Sequence, residues 1–149
     1  MTRGSVDLKI VRDRLRLVDQ SLEDLRALPH SSLEEFTADR RNTLAADAAL
    51  RRGLEAVFDV ARHLLAKGFG VGSLEYREVA REAADHELVS DAALAQRMLE
   101  MAGYRNRLTH FYDEVTPEEL FGIVAHDLED LERLANALRN AAGRLAGAS

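Results

Sequence analysis

Cysteine is absent from this chain, which excludes disulfides and thiolate metal sites and favours a reducing compartment. Proline is scarce, with 2 residues, and glycine contributes only 9. So few breakers suit a helical chain rather than a disordered or fibrous one. No run approaches the roughly eighteen apolar residues of a membrane-crossing helix. Met1 to Ile10 alternates charged and apolar residues and lacks the apolar stretch of a signal peptide. These absences predict a cytoplasmic protein with no membrane attachment. Positive charge is not in excess either: 20 Lys and Arg stand against 26 Asp and Glu, for a net charge of -6. Bulk electrostatics therefore argues against nucleic acid, and any RNA contact must use a local basic patch.

What is present is length and pattern. The 149 residues, 46% hydrophobic and 31% charged, suit one domain over 1–149 with a real core. Four long amphipathic segments emerge. The first, Ser5 to Ala27, carries Leu8, Val11, Leu15, Val18, Leu22 and Leu25 at helical spacing and stops at Pro29. The second runs from near Phe36 to Lys67, with Leu50, Leu54, Val57, Phe58, Ala61, Leu64 and Leu65 inward and Gly68 as the expected C-cap. A loop and a short helix, Gly70 through Tyr76 to Ala84, precede the third, capped by Ser90 or Asp91. The fourth starts at Thr116, Pro117, Glu118 and Glu119, which combine a capping hydroxyl, an N1 proline and a reciprocal N3 carboxylate. Its apolar positions run from Phe121 to Leu145, with fraying expected after Asn140. The predicted fold is all-α, an antiparallel four-helix bundle with a short additional helix.

One residue breaks the pattern. If 94 to 112 is a helix, Leu94, Met98, Met101, Leu108 and Tyr112 form its packing seam, and Arg105 occupies a seam position. A guanidinium keeps its charge and is costly to desolvate alone, so this position calls for a counter-ion or an anionic ligand. Asn106, four residues before His110, shares a helical face with it. Arg107 points elsewhere, as an RNA-backbone contact would. For His110 and Tyr112 to share a cleft, the helix must end or loosen around Phe111; Pro117 places a terminus in this region.

The stretch from Arg105 to Tyr112, an arginine followed after four residues by His110 and then by Tyr112, resembles the signature of HepT toxins within the HEPN superfamily of helical ribonucleases. Glu55, Ala56, Asp59, Ala61, His63, the glycine-rich loop and Met101 occur in similar order there, so the likeness spans about Leu44 to Leu134. Thr109 departs from the apolar residue common at its position. The resemblance implies a HEPN-like fold and metal-independent RNA cleavage by a homodimer whose two motifs meet in one cleft. It further implies Arg105, Asn106 and His110 as the catalytic group, no cofactor, and an MntA-like nucleotidyltransferase antitoxin as partner, which would add AMP to Tyr112. The chemistry is suitable: imidazole can exchange protons near neutral pH, and guanidinium presents a fork of donors to phosphate.

Blander readings exist for each feature. An Arg and a His on one helix face are ordinarily solvated surface, and a HEPN bundle can bind nucleotide or scaffold a nucleotidyltransferase without catalysis. Glu55, Asp59 and His63 at spacings of four could share a metal, a third class of function, but structural ion pairing is the simpler account. Gly68, Gly70, Gly72 and Ser73 lack the strand and lysine of a phosphate-binding loop and read as a helix stop. Arg40, Arg41, Arg51 and Arg52 alternate with acids as a solvated face does, and His30, His86 and His126 carry no spacing signal.

Overall fold

The computed structural model describes residues 4–72, 75–110 and 113–147, and among these the regular structure is entirely helical. The helices are α1 (Leu8–Arg26), α2 (Leu33–Thr37), α3 (Arg40–Phe69), α4 (Tyr76–Asp85), α5 (Ala92–Leu108), α6 (Pro117–Gly122) and α7 (Leu128–Gly147). A π-helical turn, Ile123–Asp127, joins α6 to α7 so that 117–147 run as one rod. Such a turn inserts an extra residue per turn and locally re-aims the side chains.

Polar contacts set the register of the bundle. Gly4 N–H donates to Lys67 O, Arg14 meets Asp59, and the Cβ that Gly53 lacks would lie 3.0 Å from Ser21 Cβ, so α1 runs antiparallel to α3. Arg26–Glu132 and Arg139–Asp19 run α1 antiparallel to α7. Arg97–Asp130 and Arg133–Asp91 do the same for α5 and α7. Between these rods lie Val11, Leu15, Val18, Leu22 and Leu25 of α1, the predicted inward face of α3 from Leu50 to Leu65, Met98 of α5, and Leu131, Leu134 and Leu138 of α7, all buried. Burial of such side chains, each worth about 1.5–3 kcal/mol, holds the helices together far more than helix propensity does.

Several boundaries differ from the sequence reading for identifiable reasons. The second segment is two helices, because Asp39 accepts Arg41 N–H and starts α3 afresh after the short α2, which is capped by Ser32. Gly68 is not the cap: it is buried inside α3, where the missing Cβ leaves room for Leu145. Gly70, at φ 73°, adopts the left-handed conformation and ends the helix. The fraying expected after Asn140 does not set in there, since Ala141 and Ala142 are buried against the core and the helix runs on to Gly147. Leu8, assigned to the α1 stripe, is exposed. Asp91 caps α5 as expected, and the capping box of Thr116 and Glu119 forms in both directions.

Candidate active site

The end of α5 builds the site. Its buried stripe is Leu94, Met98 and Ala102, with Met101 and Leu108 half-buried at the border. Arg105 follows this stripe toward α3 and α4, and its side chain is 22% exposed. The counter-ion that its position demanded is Glu55 of α3, with Arg105 Nη2 at 3.4 Å from Oε1. That is a loose pair. The guanidinium also lies over the ring of Tyr76, 4.1 Å from its centroid, and Arg62 approaches the same ring at 4.4 Å. Phe58 supports the ring edge-on at 5.2 Å. The Nε of Arg105 is buried with no hydrogen-bond acceptor among the described residues. An unsatisfied buried donor carries a desolvation cost of about 1–3 kcal/mol, which an acceptor oxygen brought by a ligand would relieve.

Helix α5 ends at Leu108, earlier than the terminus expected around Phe111. Thr109 closes the helix at ψ 1°, with both its N–H and its Oγ1 donating to Asn106 O. His110 N–H then donates to Arg107 O at 3.1 Å, and the His110 side chain is exposed. Asn106 and His110 therefore do not share a face of a regular helix, as their spacing suggested; the chain turns out of the helix between them. Asn106 is half-buried one residue after Arg105. Phe111 and Tyr112 lie outside the described residues.

Arg107 is engaged within the protein. Its Nη1 and Nη2 donate to the two carboxylate oxygens of Glu119 at 2.6 and 2.8 Å, and Nη2 also donates to Glu114 O at 2.9 Å. Asp113 Oδ1 sits 3.3 Å from its Nε without hydrogen-bond geometry. Hydrogen bonding to Arg107 holds the Glu119 carboxyl well below its usual range, at about 2, against the opposing effect of desolvation. Arg107 is raised in turn, chiefly by the same hydrogen bonds. Because Glu119 also receives Thr116 N–H, this fork ties the end of α5 to the start of α6 and spans the connection that carries His110.

Glu55, Asp59 and His63 each have a different polar partner. Glu55 meets Arg105, Asp59 meets Arg14 at 3.6 Å, and His63 Nε2 accepts Asp7 N–H at 2.9 Å. The ion-pair account describes the two acids, and His63 serves the N-terminus of α1. Arg41 is held by Asp39, at the far end of α3 from the glycine loop. Two members of the site escaped sequence reasoning, Tyr76 and Arg62. Their one sequence signal was an aromatic residue at a helix start in a chain with only 5% aromatics.

The chain is thus an all-helical bundle with an arginine wedged beside an aromatic and a histidine turned out just beyond its helix. The chain matches the Ribonuclease HepT-like family over residues 18–138 and belongs to it. Among curated proteins it is 25% identical over 125 residues to a tRNA nuclease HepT of Aphanizomenon flos-aquae (strain 2012/KM1/D3), covering 84% of each chain. The fold is shared with a solved toxin–antitoxin complex with AMP-PNP, at TM-score 0.77 and 20% identity, over 89% of this chain and 98% of that one. It is also shared with the tri-AMPylated Shewanella oneidensis HEPN toxin in complex with MNT antitoxin, at TM-score 0.78 and 21% identity, over 88% and 97%. No helix among the described residues is long and apolar enough to cross a membrane.

Proposed function

We propose that this protein is a metal-independent endoribonuclease, the toxin of a toxin–antitoxin pair, whose centre comprises Arg105, Asn106 and His110 in a cleft between two copies of the chain. The observation that carries this reading is Arg105: a half-buried guanidinium, loosely paired with Glu55, with a buried Nε that has no acceptor among the described residues. A scissile phosphate supplies the missing oxygen. The reaction is attack of a ribose 2'-oxygen on the adjacent phosphorus, forming a 2',3'-cyclic phosphate as the bond to the 5'-oxygen breaks. One imidazole removes the 2'-proton and another delivers a proton to the leaving oxygen, while guanidinium stabilises the phosphorane. The two histidines come from two protomers, which gives dimerisation a chemical purpose. Asn106 orients the base or the substrate. Glu55, Asp59 and His63 each serve a separate polar partner, so the proposed mechanism assigns them no part in the chemistry.

The curated relative's name supports RNA as substrate, and the AMPylated toxin in complex with its MNT antitoxin supports control by a nucleotidyltransferase. Tyr112 is the proposed acceptor, where added phosphate places charge and bulk against incoming RNA. Expression alone should arrest growth, and His110→Ala and Arg105→Ala should each relieve the arrest in a folded protein. With the cognate nucleotidyltransferase and ATP, peptide mass spectrometry should find AMP on Tyr112 and none on the Tyr112→Phe variant. Undiminished toxicity of both alanine variants would remove the centre; AMP on another residue would remove Tyr112 as its control point.

A further inference from the structure

The groove between α4 and α5 is a second built feature, about 440 Å³ in volume and lined by Arg77, Arg81, Gln96, Gly103, Tyr104 and Arg107 among others. Arg77 and Arg81 are exposed and stand one helical turn apart on α4. Unlike Arg107, neither has an ion pair among the described residues. The carboxylate that shares the groove, Glu100, is bridged by Arg97 at 2.9 Å. A Cβ at Gly103 would lie 3.5 Å from Arg77 Nη2, an ordinary contact, so the Arg77 guanidinium sits beside the α5 backbone at Gly103. Two cations in one groove with no ion pair among the described residues stand out in a chain of net charge -6. The groove also contains the half-buried ring of Tyr104, and the residues directly after Tyr104 are Arg105 and Asn106.

We propose that this groove binds the sugar–phosphate backbone of single-stranded RNA and leads the strand to Arg105 and Asn106. Arg77 and Arg81 would meet successive phosphates, Gln96 a ribose or base edge, and Tyr104 a base by stacking. Positive charge along a groove together with an aromatic platform is how single strands are held without sequence preference. Arg107 takes a supporting part, since its donors already serve Glu119 and Glu114. The assignment builds on the ribonuclease reading but can be tested without cleavage.

The test is binding of a 2'-O-methylated single-stranded RNA oligonucleotide, which lacks the attacking hydroxyl, followed by fluorescence anisotropy across a salt series. Each phosphate contact contributes about 0.7 to the slope of log affinity against log salt for single strands, so the Arg77→Gln/Arg81→Gln double variant should lose about 1.4 of slope and on the order of tenfold in affinity at low salt. Each single variant should lose about half of that slope. A wild-type slope in the double variant would overturn the assignment, as would no binding by the wild-type protein. Loss of binding accompanied by conversion of a dimer to a monomer in light scattering would also overturn it, by making the groove a contact between copies. Failure of the ribonuclease reading is recognised separately: the wild type then binds the oligonucleotide with the expected slope and cleaves no unmodified RNA.

Discussion

Replacing Glu119 with glutamine isolates the charge that ties α5 to α6. Glutamine retains one oxygen, shared by Thr116 N–H and Arg107 Nη2, but the ionic fork at 2.6 and 2.8 Å becomes a single bond from the guanidinium to an uncharged amide. The Glu119 carboxyl is lowered from 4.5 to about 2, first by Arg107. Because the folded value is the depressed one, the stabilisation is fully present above about pH 4.5 and is lost as pH falls through about 2. At about 1.4 kcal/mol per pH unit the ceiling is between about 3 and 4 kcal/mol. Side chains 28% and 30% exposed are screened by water, which reduces the expected contribution to about 1–2 kcal/mol. Urea unfolding of the wild type and Glu119→Gln at steps from pH 7 to 3 measures this directly. The variant should be weaker by that amount at neutrality, and the gap should close by more than half at pH 3. An equal gap at both ends would refute the ionic account of the fork.

Tyr76→Leu removes the ring under Arg105 and Arg62, a loss of about 1–2 kcal/mol from cation–π and edge-on contacts, or a few degrees in the melting midpoint. RNA cleavage should fall with it, whereas Tyr76→Phe, which keeps the ring, should retain most of both; equal loss in the two variants would put the effect on the hydroxyl instead. His63 is held below its ordinary value mainly by desolvation, with Asp7 opposing and Lys67 reinforcing, and its Nε2 must stay unprotonated to accept Asp7 N–H. Its stabilisation is therefore complete above about pH 6.5 and is lost as pH falls through the lower folded value. Urea midpoints between pH 7.5 and 5 should decline in the wild type and decline less in His63→Gln, which keeps an acceptor that does not titrate.

The parts legible in sequence were those written in neighbouring residues. Thr116 to Glu119 specified a helix start because all its hydrogen bonds are local, and Asp91 did likewise for α5. Arg105 was visible because an apolar seam makes a cation conspicuous. Its surroundings were not, since Glu55 and Tyr76 reach it only through the packing of α3 and α4 against α5. Gly68 and Gly70 show the same limit from the other side. Both satisfy the chemistry of a cap, and packing against Leu145 decides that Gly68 stays inside the helix. The π-turn at Ile123–Asp127 left no mark in the apolar spacing, because Val124 within it and Leu128 directly after it both remain buried. Arg107 read as an RNA-backbone contact, and its fork to Glu119, an acid already assigned to a capping box, was not visible because it forms only through the packing of α5 against α6.

The central claim is that imidazole and guanidinium at the end of α5 cleave RNA without a metal. Its most direct test is incubation of the purified protein and its His110→Ala variant with RNA in excess EDTA, with the product ends identified by mass spectrometry. The account predicts cleavage by the wild type to ends bearing 2',3'-cyclic phosphate or its hydrolysed monophosphate, and a fall of about 10²–10⁴ in rate for His110→Ala. Strict dependence on added Mg²⁺ or Mn²⁺, or equal cleavage by the two proteins, would contradict it.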